Sequence, residues 1–237
     1  LLMTTQFAAS DLKAVLVTDG DCFADAAADV SRRILAFAEL PEIPVAISES
    51  RPVHAFPTAW RLDSLRISAL PILHPSHFEL SPTETSSAQD VLRNVLGQAD
   101  EPVRILEVGP LSTVCEVLQK DAQLASNVKD INWMGGAFDV PGNVSTSDEP
   151  LHDGSAEWNA YWDPPAVAAI LELGIDLTIC PLDLTNTVPV DGSLMERLAQ
   201  NRHRPFADLA GQCYGLNAWR SYEVWDLLTT AFVAQPE

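Results

Sequence analysis

Basic residues are scarce in this chain. Lysine and arginine number 14 against 33 aspartates and glutamates, for a formal net charge of −19. Such a surface repels phosphate backbones and anionic lipid headgroups, which argues against a nucleic-acid or membrane partner. Cysteine is sparse too. Cys22, Cys115, Cys180 and Cys213 lie far apart with no Cys-x-x-Cys pair, which argues against a zinc ribbon or disulfide scaffold and fits the reduced thiols of a cytoplasmic protein. His54, His74, His77, His152 and His203 show no His-x-x-x-His spacing, so no zinc site is indicated. No apolar run is long enough to span a bilayer, and no basic segment precedes the opening leucines, so no signal peptide is read. Repeats and low-complexity tracts are absent.

What is present suits one sizeable core. At 237 residues and 47% hydrophobic, the chain is expected to fold as a single domain. Residues 12–18, 43–47, 103–108, 128–133 and 176–181 are short, apolar, β-branched runs that read as strands buried on both faces. Helical spacing recurs at Phe23, Ala27, Val30, Ile34 and Phe37, and helices are expected over 90–98, 112–120, 165–173 and 225–234. Strands alternating with helices predict an α/β fold, a mainly parallel sheet with helices on both faces. Residues 1–10 look like the middle of an amphipathic helix, and residues 70–87 look irregular.

The chain is organised around residues 132–165. A buried strand ends at Trp133, a glycine-opened loop follows, and Asp163 and Pro164 start a helix as N-cap and first helical residue. Asn143, Glu157 and Asn159 fall in that loop. Ligands of α/β sheets bind at strand-end loops, although a plain polar surface loop would read the same way. Residues 145–153 form an acidic insertion, expected as a surface excursion. Met134-Gly135-Gly136 reads as a close backbone approach, Asp183 and Asn186 as strand-end caps, and Asp19 as either a support to the site or a turn former.

Several of these segments, taken together, resemble the nucleoside hydrolases. Met134-Gly135-Gly136, Gly142-Asn143, residues 156–159 and residues 161–164 resemble that family's ribose-binding segment. Residues 18–23, 56–61, 108–112, 183–190 and 222–226 occur in the family's order and approximate spacing. The purine-specific (inosine–adenosine–guanosine) branch is the nearest match. The resemblance implies hydrolysis of the N-glycosidic bond of a purine ribonucleoside by a Ca²⁺-activated water, giving ribose and free base. It implies Asp226 and the Val108 carbonyl as metal ligands, and Asn143, Glu157, Asn159 and Asp21 as ribose contacts. It implies Trp60 and Trp225 as the indoles that sandwich the base. Trp225 stands where the less selective branch has a histidine. A homo-oligomer is a family-level expectation.

One part of the family pattern is missing. The family opens with a strand and an Asp-x-Asp-x-x-x-Asp-Asp loop that carries most metal ligands and the general base. Here that loop is expected upstream of Leu1, so no catalytic residue is assigned within the chain. Further elements are expected beyond Glu237. Residues 1–237 alone are therefore expected to have little or no activity. The competing reading is a non-catalytic nucleoside-binding or structural relative without the metal loop.

Overall fold

The computed structural model describes residues 1–7, 11–80, 84–218 and 221–234. Strand β1 (Val15–Val17) is followed by helix α1 (Ala24–Phe37) and strand β2 (Val45–Ile47). Two short helices, α2 (Thr58–Arg61) and α3 (Asp63–Ser68), precede α4 (Ala88–Gly97), β3 (Val103–Glu107) and α5 (Ser112–Lys120). Next come β4 (Val128–Met134), α6 (Trp158–Trp162), α7 (Pro164–Glu172) and β5 (Leu177–Cys180). Helices α8 (Leu182–Thr185), α9 (Gly192–Gln200), α10 (Pro205–Gly215) and α11 (Trp225–Ala234) complete the described chain.

All strand pairs are parallel. β1 pairs with β2, and β3, β4 and β5 form a second sheet in that order. The expected single sheet is thus resolved into two, and no described strand pairs with the outer edge of β1 or β3. Each strand turns alternate side chains to opposite faces. Val17 and Val45 face α1 through Ala28 and Leu35, while Ala46 and Leu16 face α4 through Ala88 and Val91. This two-sided burial is why the strands read as unbroken apolar runs. In the larger sheet, Ile131 and Trp133 pack with Val114, Leu118 and Ile170 of α5 and α7.

The opposite face of β4 is polar and buried. Asp130 accepts both guanidinium arms of Arg104, at 2.7 and 2.8 Å, and also the Asn132 amide at 2.7 Å. The pair holds Asp130 below the usual carboxylate range. Helix α11 packs against β4, which brings Trp225 and Asp226 to the sheet.

Two stretches depart from the sequence reading. The opening residues form only a 3₁₀ turn, Thr4–Gln6, and Phe7 is extended; residues 8–10 lie outside the described chain. The Thr4 and Thr5 hydroxyls donate to the Leu1 and Leu2 carbonyls, a local bond that competes with helix propagation. Helices α2, α3, α6, α8, α9 and α10 are additions. The last two carry ordinary start signals: Asp191 caps α9 by accepting the Leu194 N–H, and Pro205 opens α10. Residues 81–83 of the irregular stretch also lie outside the described chain.

Candidate active site

Three of the loop's polar residues meet at the start of α6. Asn143 Oδ1 accepts the Trp158 N–H at 2.9 Å. Glu157 Oε1 accepts the Asn159 N–H at 2.9 Å, and its Oε2 accepts the N–H groups of Ala160 at 3.1 Å and Gly136 at 2.9 Å. Asn159 Nδ2 donates to the Met134 carbonyl at 3.0 Å. A five-residue helix has little stability of its own, and these caps satisfy its first N–H groups. The same bonds fix where each side chain points, leaving Asn143 Nδ2 and Asn159 Oδ1 without a partner among the described residues.

Glycines make this approach possible. A Cβ on Gly142 would lie 2.0 Å from the Ala156 carbonyl oxygen, and one on Gly135 would lie 2.1 Å from the Trp133 ring. Gly142 and Val144 donate to the Gly154 and Ala156 carbonyls, so residues 145–153 loop out as expected. Asp163 caps α7 by accepting the Ala166 N–H, and its other oxygen accepts the Ser112 hydroxyl at 2.6 Å. Asp183 accepts the Phe138 and Asp139 N–H groups, closing the loop after β4.

Carboxylates from three further segments act electrostatically on Asp226. Burial pushes Glu157 up to about 7 despite its backbone donors. Asp226 also rises to about 7, first through burial and then through the charge of Asp21, with Glu157 and Glu107 pushing the same way and the Leu1 amine opposing. Asp226 is nonetheless exposed to solvent. Asp21 and Glu157 thus lie within electrostatic reach of Asp226.

Glu107 also acts electrostatically on Asp226 and was not anticipated. Burial lifts it to about 7, and its Oε1 accepts the Gly109 N–H at 3.0 Å. The Gly109 carbonyl in turn accepts Trp133 Nε1 at 3.0 Å. In a trans peptide the C=O and N–H point oppositely, so the Val108 carbonyl faces away from the Glu107 carboxylate. A carboxylate at the end of a buried strand was the signal in the sequence.

The two tryptophans sit in separate aromatic clusters. Trp60 packs edge-on to Trp158 at 5.5 Å, next to Phe56. Trp225 packs edge-on to Tyr222 at 4.7 Å, and its Nε1 is buried without a hydrogen-bond partner. The rings do not contact each other. His54 stacks on Tyr161 at 4.0 Å, with His152 at its edge, so these histidines serve an aromatic rim.

The sequence profile of the Inosine-uridine preferring nucleoside hydrolases matches residues 1–237. The chain belongs to this family. It is 35% identical to a nucleoside hydrolase of that description from Bacillus anthracis, with a TM-score of 0.93 over 99% of this chain and 76% of that one. It is 28% identical over 189 residues to the pyrimidine-specific ribonucleoside hydrolase RihA of Photobacterium profundum, covering 79% of this chain and 57% of RihA. A purine-preferring ribonucleoside hydrolase from Gardnerella vaginalis shares the fold, with a TM-score of 0.71 at 20% identity over 99% of this chain and 76% of that one. The chain spans about half the length of the curated relatives it matches.

Nucleoside hydrolases are generally metal-dependent. Among the described residues, no three histidine, cysteine or acidic side chains are grouped so as to hold a metal ion. The two expected ligands, Asp226 and the Val108 carbonyl, would supply only two hard oxygens, short of the roughly six to eight that calcium takes. The described residues do not by themselves make a calcium site. Also among them, no helix is long and apolar enough to cross a membrane.

Proposed function

We propose that the chain is the nucleoside-binding body of a ribonucleoside hydrolase that prefers purines. What supports this reading is the electrostatic influence of Asp21 and Glu157 on Asp226, together with the helix-capping bonds that fix Asn143 and Asn159. Ribose is a polyol, and it suits groups that donate and accept in fixed directions. Asn143 Nδ2 would donate to the sugar, while Asn159 Oδ1, Glu157 and Asp21 would accept from its hydroxyls. In the reaction, the water oxygen bonds to the anomeric carbon as the N-glycosidic bond breaks, and the base leaves with a proton. The transition state is oxocarbenium-like, and carboxylates nearby favour its positive charge.

The base preference rests on Trp60 and Trp225. The named relatives include pyrimidine-specific and purine-preferring enzymes, so likeness alone does not select a base. Stacking on an indole favours the larger, more readily protonated purine, a cation–π effect worth ~1–2 kcal/mol. The leaving purine accepts its proton more easily when that charge is stabilised.

Calcium enters as the family expectation, with Asp226 and Val108 as partial ligands. The remaining ligands and the general base are proposed to lie outside residues 1–237. Four free thiols support a cytoplasmic location. The shortage of metal ligands favours a second reading, a relative that binds nucleosides without hydrolysing them.

Ribose release from inosine, adenosine, guanosine and uridine separates the two. Residues 1–237 should release little or none, and the chain extended with its own upstream coding sequence should release ribose faster from purine nucleosides. Comparable turnover of uridine would remove the purine preference. Nucleoside binding without turnover in the extended protein would establish the second reading.

A further inference from the structure

Arg61 closes α2 directly after Trp60 and reaches the turn that follows β1. Its guanidinium forms an ion pair with Asp19, its Nε donates to the Cys22 carbonyl at 3.2 Å, and its Cζ lies 4.5 Å over the Phe23 ring. Ser64 reinforces the join, accepting the Phe23 N–H at 3.1 Å and donating to the Arg61 carbonyl at 2.8 Å. The Arg61 side chain is only 17% exposed. Asp21 sits inside the clamped turn, between Asp19 and Cys22.

Helix α2 is four residues long, too short to hold its own orientation. Trp60 touches only Phe56 and Trp158 through ring contacts, which leave an indole free to slide. A planar guanidinium using two nitrogens on two acceptors fixes direction as well as distance, which an ammonium cannot do.

We infer that Arg61 is a positioning residue that sets the separation between the Asp21 carboxylate and the Trp60 indole, so that sugar and base are received as one rigid unit. This rests on the reading of Asp21 as a ribose contact and Trp60 as a base contact. Holding both groups in place before binding lets the second contact form without a further ordering cost.

Two measurements on residues 1–237 test the inference. With fluorotryptophan incorporated and the Trp60 resonance assigned by its loss in Trp60→Phe, Asp19→Asn should shift and broaden that resonance without any ligand. Arg61→Lys should do so less than Arg61→Met. In binding, the ratio of inosine to hypoxanthine affinity should fall about tenfold in Arg61→Met and recover in part in Arg61→Lys. An unmoved Trp60 resonance in Asp19→Asn, or an unchanged ratio in Arg61→Met, overturns the inference. If Trp60→Ala leaves inosine binding of the unsubstituted protein's strength, the nucleoside reading of Trp60 fails instead, whatever the resonance shows.

Discussion

Glu157 reaches back across the loop to Gly136, accepting its N–H at 2.9 Å. Gly136 has a φ of +81°, a conformation glycine adopts without strain. The bond joins the exit of β4 to the start of α6, so the carboxylate that would contact ribose also holds the loop together. With only 3% of its surface exposed, Glu157 is costly to charge.

A pH dependence follows from that burial. Glu157 sits at about 7 in the fold, raised from 4.5, so the folded state holds the proton more tightly than the unfolded chain. Stability from this group is full below the unfolded value and is lost as pH rises through 7. The span is worth roughly 3 kcal/mol for a group this buried. Thermal melting should therefore rise on going from pH 8 to pH 5.5, and Glu157→Gln should remove part of that slope, Glu107 and Asp226, raised to about the same value, supplying the rest. A melting temperature that climbs with pH across this window would contradict the assignment.

Gly142→Ala should be among the most damaging single-methyl changes in the chain. The added carbon would meet backbone, the Ala156 carbonyl oxygen at 2.0 Å, and backbone cannot swing aside as a side chain can. Relieving the clash would break the pairing of residues 142–144 with 154–156. A loss of more than about 2 kcal/mol in chemical denaturation is expected. Gly154→Ala is the control: nothing lies within 4 Å of its added carbon, although its φ of +82° carries some strain.

Local chemistry made much of this fold legible. Helix α5 runs over the residues its spacing predicted, and Asp163 with Pro164 marked the start of α7. The split into two sheets was not legible, because strand periodicity says nothing about which edges meet. Helix α9 was missed although Asp191 is a good cap and Leu194, Met195 and Leu198 recur at helical spacing. At the site, residue types pointed to Asn143, Glu157 and Asn159, but the bonds by which they cap α6 depend on a turn the sequence does not announce. Glu107 escaped because a carboxylate in an apolar strand looks like noise until its Gly109 partner is seen.

Calcium should do little to residues 1–237. Two oxygens from Asp226 and Val108 fill a small part of its coordination shell, and a ligand stabilises a fold only when present well above its dissociation constant. Addition of ~1 mM calcium should move the melting temperature by no more than about one degree. A rise of several degrees would reveal a calcium site that the described residues lack.

Asn159→Ala removes a donor from the Met134 carbonyl, a bond made inside the protein at 3.0 Å. An orphaned buried acceptor costs roughly 1–3 kcal/mol, so stability should fall by that order. In the extended, active form, kcat should fall along with affinity if the bond to ribose tightens in the transition state. A change confined to KM would mean that Asn159 grips substrate and transition state alike.

Trp225 offers the sharpest test of base preference. It precedes Asp226 on α11 and packs edge-on to Tyr222, with a buried Nε1 that no described group satisfies. If its indole stacks on the base, Trp225→Ala removes an interaction of ~1–2 kcal/mol, equivalent to roughly five- to thirtyfold in rate or affinity. A pyrimidine overlaps the indole less, so uridine should lose less than inosine. The quantity to measure in the extended enzyme is the ratio of kcat/KM for inosine to that for uridine, which should fall in Trp225→Ala and recover in part in Trp225→Phe. Equal losses for both substrates would show that the tryptophan supports α11 and takes no part in choosing the base.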